Sequence, residues 1–141
     1  MGLTIGPATS HSSYPANAAV GSENNGGFLM CKTGGGVAWI VSPYSTQVIR
    51  SWDFRNDAVT LAQAATGCTD WFVPSASQLQ NPGYVCRNFW GSPNPQFPPA
   101  GESVVFWTCQ SGTVVAMDSG SSFGQPNSQG FNVRAFRCFT Y

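Results

Sequence analysis

The side chains best suited to chemistry in this sequence are its five cysteines. They are Cys31, Cys68, Cys86, Cys109 and Cys138. No two of them form a C-x-x-C pair, and the single histidine, His11, stands alone in a polar N-terminal run. Because structural zinc needs closely spaced thiolates or cysteine together with histidine, this spacing argues against a metal site. Two alternatives stay open: one or two disulfides with a leftover buried thiol, or five reduced thiols in a reducing compartment.

Carboxylates are the other candidates for catalysis, and they are scattered along the chain. The candidates are Asp53, Asp57, Asp70, Glu102 and Asp118. Their spacing shows no pair that can be assigned to one cleft, and no histidine base accompanies them outside the N-terminal run. We therefore predict that the protein is not an enzyme and has no catalytic residue, metal or cofactor.

Charge is sparse and balanced: six Lys or Arg and six Asp or Glu make up 9% of the residues. Binding to nucleic acid or to anionic lipid requires clustered basic side chains, so we expect neither. No segment approaches the roughly twenty apolar residues of a membrane helix, and the N-terminus lacks the basic and apolar regions of a secretory signal. Gly, Ser, Thr, Asn, Pro and aromatic residues dominate instead, a composition typical of extracellular or viral surface domains.

The apolar pattern predicts an α+β domain with an antiparallel sheet, two short helices and long irregular loops. "GGFLMCK" and "VAWIVS" are predicted strands joined by the glycines of "TGGG". A first helix should begin at residue 56 or 57 and end at Thr66, before Gly67, and a shorter one should begin at Ser75, which forms a capping box with Gln78. A long loop to residue 102 precedes three predicted strands, "SVVFWTCQ", "GTVVAMDSG" and "FNVRAFRCFTY".

Residues 1–26 contain few large apolar side chains, so such a segment alone would not bury enough surface to offset its ordering entropy. We therefore predict an extended N-terminal arm, residues 1–26, held by a partner and followed by a domain of residues 27–141. Leu3, Ile5 and Tyr14 are the predicted docking residues of this arm.

From about residue 26 to 141, the element order and several motifs resemble the C-type-lectin-like fold, and more narrowly its bacterial and phage branch, the Lcl C-terminal domain. The motifs are "GGFLMC", "DAVTLAQAATG", "TDWFVPSASQLQ", "VFWTCQ" and "NVRAFRCF". The matching positions are Asp70, Trp71, Pro74, Ser75, Leu79, Trp107, Val133, Arg137 and Cys138. The resemblance implies a looped domain whose ends meet in one sheet and whose irregular loops face a ligand. Because this fold serves many functions, it assigns none by itself.

The resemblance also bears on the cysteines. Lectin-like domains place a disulfide between the end of the first helix and the last strand, which implies a bond between Cys68 and Cys138. A bond between Cys86 and Cys109 is the second predicted disulfide, and it would leave Cys31 free.

The family's calcium loop carries a Gln-Pro-Asp or Glu-Pro-Asn triplet, which Gln125, Pro126 and Asn127 resemble. The accompanying Trp-Asn-Asp triplet is missing, and no carboxylate follows Asp118 to supply the oxygens that calcium needs, so a polar turn is favoured. Aromatic side chains of the loops either stack on sugar rings or anchor the loops to the domain. The predicted ligand contacts are Trp90, Asn94, Gln96, Phe123, Gln125 and Asn127.

These observations favour a non-enzymatic bacteriophage virion surface protein, as a capsid decoration or a tail or fibre component. Its arm would dock on other virion proteins, and its lectin-like domain would face outward, where host-surface glycans are the expected adhesion ligands. The alternative is a secreted or cell-surface carbohydrate-binding module. The expected location is the virion surface, after synthesis in the host cytoplasm, or the extracellular space for the alternative. The oligomeric state is left open, with a homo-oligomer among the options.

Overall fold

The structure is a computed structural model and describes residues 18–90 and 104–141. Five predicted site residues lie outside these ranges. They are the docking residues Leu3, Ile5 and Tyr14 and the ligand contacts Asn94 and Gln96.

Nine strands and two short α-helices form the described part of the chain, joined by 3₁₀ turns. The strands are β1 (Glu23–Asn24), β2 (Gly27–Lys32), β3 (Val37–Val41), β4 (Val48–Arg50), β5 (Val105–Trp107), β6 (Thr113–Ala116), β7 (Ser122–Gly124), β8 (Phe131–Val133) and β9 (Phe136–Thr140). The helices are α1 (Asp57–Thr66) and α2 (Ala76–Gln78), and α2 continues into a π-helical turn, Leu79–Tyr84. Further 3₁₀ turns cover Tyr44–Thr46, Trp52–Phe54 and Arg87–Phe89. The predicted α+β class with two short helices is confirmed.

The strands form two sheets. The first has the order β1-β2-β3-β9 and is antiparallel throughout, so strands near the two ends of the described chain lie in one sheet. The second has the order β4-β8-β5-β6-β7 and is antiparallel except between β5 and β8, which pair in parallel. Residues 18–26, which we assigned to the arm, run beside β2: Gly21 N donates to Leu29 O at 2.7 Å and Lys32 Nζ to Ala18 O at 2.8 Å.

The helix predictions are confirmed by the caps. The first helix ends at Thr66, and Gly67 follows it in the left-handed region with φ of 77°. Glycine adopts this conformation without the steric cost of a Cβ atom, which is why it ends helices. Ser75 and Gln78 form the predicted capping box, with the Ser75 side chain accepting from Gln78 N.

The segment "FNVRAFRCFTY" was wrongly predicted as one strand. It is two: β8 pairs with β4 in the second sheet, and β9 pairs with β3 in the first. The chain changes sheets at Arg134, whose buried side chain donates to Ser42 O at 2.8 Å, while Ser42 N donates to Ala135 O at 3.0 Å. Buried backbone groups need hydrogen-bond partners, and a continuous strand would leave the Ser42 N–H and C=O without theirs. The strand is therefore interrupted at Arg134 and Ala135.

The stretch "TDWF", which precedes the second helix, is part of the framework. Trp71 is buried and donates from Nε1 to Thr66 Oγ1 at 2.8 Å, which ties it to the end of α1. Asp70 accepts from Arg137 of β9 at 2.6 Å, and Phe72 forms a β-bridge with Phe136. Residues that carry the family resemblance therefore join the first helix to the last strand.

Neither predicted disulfide is present: all five cysteines lie in the described ranges, and all five are free thiols. Cys68 packs with Leu29 and Trp71 under α1. Cys138 is the register partner of Trp39, whose ring packs in the cluster on the other face of the first sheet. Because register partners share a face, the sheet separates Cys68 from Cys138. Cys86 has Cys31 rather than Cys109 as its neighbour.

Candidate functional site

Three loop segments meet beside the second sheet and form what we call the loop surface: residues 51–55, 108–113 and 125–130. Trp52 joins all three, because its backbone N donates to Asn127 O at 2.9 Å and its Nε1 to Thr108 O at 3.0 Å. One side of the Trp52 ring packs on the core cluster that contains Val73 and Trp107. The loop surface is therefore held by the interior rather than by its own residues alone.

Asn127 closes the loop surface from the other side. Its Oδ1 accepts from Gly112 N at 2.7 Å, and its Nδ2 donates to Ser111 Oγ at 2.9 Å. Gly112 has φ of 68°, and Gln125 N donates to its carbonyl at 2.9 Å. The turn after β7 and the turn before β6 are thus fixed to each other by side-chain and backbone hydrogen bonds.

The outer layer of the loop surface combines one apolar ring with one cation. The Phe54 ring is 61% exposed, although phenylalanine is usually buried. The Arg55 guanidinium lies 3.6 Å from the centroid of the Trp52 ring, and its Nη1 donates to Trp52 O at 3.0 Å. The same loop segments carry further exposed residues, among them Ser128, Gln129 and Asp53. Aromatic and arginine side chains are enriched in recognition surfaces.

The structure brings two predicted ligand contacts, Gln125 and Asn127, to the loop surface. The Asn127 amide is engaged by Gly112 and Ser111, so its role there is to hold the loops. Phe123 is 40% exposed on β7, the last strand of the second sheet, two residues before Gln125.

Trp90 was wrongly predicted as a ligand contact. Its ring has no exposed surface and packs edge-on against Phe106 and Phe136, with centroid distances of 5.8 and 5.6 Å. Its Nε1 donates to Gly83 O at 3.2 Å, so the π-helical turn satisfies the polar atom of the ring. The ring anchors its segment to the domain, which was the other interpretation of the loop aromatics.

A second arginine lies beside Trp90 in the interior. The Arg134 guanidinium donates to the carbonyl oxygens of Ser42 and Trp90 and to Gln47 Oε1, and it lies 5.2 Å from the Trp90 ring centroid. Burial lowers the pKa of Arg134 to about 9, against the opposing effect of Tyr44. The side chain is still protonated at neutral pH, so the interior holds a cation solvated by carbonyl groups and rings.

Sequence reasoning missed Trp52, Phe54 and Arg55. The signal was the run "SWDFRN", which places two aromatic residues between a strand and the start of a helix. In the structure Trp52 packs inward while Phe54 is exposed.

A groove of about 490 Å³ lies elsewhere, at the end of α1, and is lined by polar backbone and by Glu23 and Thr66 among others. The carbonyl of Asn25 at its edge already accepts from Arg137 and Cys68. The loop surface is the stronger candidate, because it exposes the large apolar ring of Phe54, which no residue lining the groove matches.

Residues 18–90 and 104–141 contain no group of three or more His, Cys, Asp or Glu side chains that could hold a metal ion. Nor do they contain a helix that is long and apolar enough to cross a membrane. The turn at Gln125 and Asn127 has hydrogen bonds from amide groups where a calcium loop would need carboxylates.

No protein-family model and no curated protein matches this chain.

Proposed function

We propose that this protein is a non-enzymatic surface protein of a bacteriophage virion, a capsid decoration or a tail or fibre component. In this proposal the N-terminal segment docks on other virion proteins, and the lectin-like domain presents its loop surface for adhesion to the host surface. The observation that carries the proposal is the loop surface itself, in which an exposed ring and an arginine are mounted on hydrogen-bonded loops.

The rigidity of this surface supports a recognition role. Trp52 and Asn127 fix three segments through four hydrogen bonds of 2.7 to 3.0 Å. A surface fixed in this way loses little conformational entropy on binding, which raises its affinity for a partner. Phe54 then supplies the apolar contact area and Arg55 the polar anchor.

The composition supports the virion setting. Only 9% of residues are charged, and Gly, Ser, Asn and Pro are abundant, as in proteins that act outside the cell. Residues 1–26 are poor in large apolar side chains, so a docking partner that covers Leu3, Ile5 and Tyr14 would supply the surface they lack.

Two matched variants test adhesion. Phe54→Ala should reduce binding of the labelled protein to host cells at least tenfold, because the exposed ring is lost. Val85→Ala is the control, because Val85 is equally exposed, at 62%, but lies in another part of the chain, next to the π-helical turn. Equal binding by both variants, with unchanged unfolding midpoints, would count against the loop surface.

A deletion tests docking. Removal of residues 1–17 keeps residues 18–26, which run beside β2, so the domain should fold while attachment to purified particles that lack the protein is lost. Full occupancy by the shortened protein would sink the virion proposal.

A secreted or cell-surface carbohydrate-binding module is the second proposal, and the exposed neutral residues of the loop surface, among them Ser128 and Gln129, favour it. Binding of the isolated protein to a glycan array, lost in Phe54→Ala and kept in Val85→Ala, would select it if no particle binds the full chain. Arg55 already covers one face of Trp52, so the free ring for a sugar would be Phe54.

A further inference from the structure

Cys31 and Cys86 form a pair of neighbouring thiols. Cys31 lies on β2, and Cys86 directly precedes the 3₁₀ turn Arg87–Phe89. Their thiols are close enough to interact electrostatically, and both side chains pack on the core cluster that contains Trp90 and Phe136. Both are only half-buried, so a small solute can approach them. Cys138 lies on the same face of the first sheet but two strands away, on the far side of Trp39, whereas Cys68 packs on the opposite face.

A β-bulge in β2 creates this pair. The register advances from Leu29, opposite Ile40, to Cys31, opposite Trp39, so that Met30 is an extra residue. In a regular strand Cys31 would share the face of Leu29, toward α1. Because the bulge inserts one residue, Met30 and Cys31 both pack on the opposite side of the sheet from Leu29. The bulge therefore aims the Cys31 thiol at Cys86.

We propose that Cys31 and Cys86 are a redox modification site, which closes to a disulfide by exchange with a low-molecular-weight disulfide such as oxidised glutathione, with Cys31 as the attacking thiol. The Cys31 thiolate attacks one sulfur of the small disulfide, forming a mixed disulfide and expelling one thiolate. Cys86 then attacks the Cys31 sulfur and expels the second thiolate. Two protein thiols are oxidised, one small disulfide is reduced to two thiols, and the two protein protons pass to the leaving thiolates.

The environment of Cys86 supports this order of attack. Burial, together with the charge of and hydrogen bond to Cys31, raises the pKa of Cys86 to about 11. Little Cys86 thiolate exists at neutral pH, and the thiolate is the nucleophile, so Cys86 is suited to the second, intramolecular step. There its position beside the mixed disulfide compensates for its low thiolate fraction.

The bond would fasten the segment that leads to Trp90 onto the first sheet. Cys86 precedes the turn that carries the buried Trp90 ring, and Cys31 lies in a central part of the first sheet. The disulfide would close a long loop of the unfolded chain, which raises stability. A change from a reducing to an oxidising environment would be sufficient to form it.

Peptide mapping of the full chain is the first test. The protein is equilibrated in glutathione buffers of increasing oxidised fraction, free thiols are alkylated, and the linked peptides are identified by mass spectrometry. We expect a Cys31 to Cys86 link, with Cys68, Cys109 and Cys138 alkylated. A Cys86 to Cys109 or Cys68 to Cys138 link, or alkylation of all five thiols in the most oxidising buffer, would overturn the proposal.

Variants then test the order of attack. Cys86→Ser should accumulate a glutathione adduct on Cys31 at pH 7, and Cys31→Ser should carry much less adduct on Cys86. The reverse pattern, in variants whose near-ultraviolet circular dichroism matches that of the parent, would refute the assignment of Cys31 as attacking thiol. The triple variant C68S/C109S/C138S should still oxidise, and its melting temperature should rise by about 10 °C on oxidation. An unchanged melting temperature would contradict the proposed stabilisation by the disulfide.

Discussion

Two of the three tryptophan–arginine pairs within the described residues lie in opposite settings. Trp90 and Arg134 are buried, with the guanidinium 5.2 Å from the ring centroid and 1% of Arg134 exposed. Trp52 and Arg55 lie at the loop surface, with a separation of 3.6 Å. The buried arginine donates to three acceptors in two other segments of the chain, whereas Arg55 donates to Trp52 O, three residues away.

The difference shows that contact geometry alone does not reveal what such a pair does. The closer pair, Trp52 and Arg55, joins residues that are three positions apart, and a binding partner could replace its contacts. The more distant pair joins the two sheets at the point where the chain crosses between them. We expect the interior pair to determine stability and the surface pair to determine binding.

The largest expected effect is that of Trp90→Ala. Loss of a fully buried ring leaves a cavity between Phe106 and Phe136, and the free energy of unfolding should fall by about 3–5 kcal/mol in urea denaturation. Phe54→Ala, which removes an exposed ring, should change it by no more than about 0.5 kcal/mol. Similar losses of unfolding free energy in the two variants would contradict the assignment of Trp90 to the framework and Phe54 to the binding surface.

Arg134→Met should cause the next largest loss in the free energy of unfolding. The methionine keeps much of the side-chain volume, but it cannot donate to the Ser42 and Trp90 carbonyl groups as Arg134 does. We expect this to cost about 2–4 kcal/mol. Its counterpart Arg55→Met should cost about 0–1 kcal/mol, because the lost contacts are exposed to water. Chemical denaturation of the two variants measures both, and an equal cost would contradict the comparison.

The thiols extend the comparison to pH. With its pKa raised to about 11, Cys86 should react with a maleimide at pH 8 about 100-fold more slowly in the folded protein than in urea, where its pKa returns to the ordinary value. The rate in the folded protein should rise as pH increases up to about 11, since deprotonation produces the reactive thiolate. A flat profile between pH 8 and 10 would mean that burial does not suppress the thiolate.

Asn127→Ala should give an intermediate effect of about 1–2 kcal/mol, because Gly112 N loses its acceptor in a half-buried position. Gln129→Ala, in the same turn but exposed, should change stability by less than about 0.5 kcal/mol. Thermal unfolding of both variants, with host-cell binding measured in parallel, would show whether Asn127 acts by holding the loops. Weaker binding by Gln129→Ala than by Asn127→Ala would assign the contact to Gln129 instead.

The sequence was sufficient for features that depend on neighbouring residues. The first helix with Gly67 after it, the capping box of Ser75 and Gln78, and the hairpin around "TGGG" each rest on interactions within a few residues. The α+β class follows from the order of these elements. Such features can be predicted from the sequence because the residues with the required backbone preferences and their hydrogen-bond partners lie in the same short segment.

Only the tertiary structure decided which aromatic residue is framework and which is surface. Nothing beside Trp90 in the sequence indicates Phe106 and Phe136 as its neighbours, and nothing near Trp52 indicates Asn127. The same holds for the cysteines, where one extra residue in β2 pairs Cys31 with Cys86 and the first sheet separates Cys68 from Cys138. Burial and side-chain pairing depend on contacts between distant segments, and a one-residue change of register reverses the face to which a strand residue points.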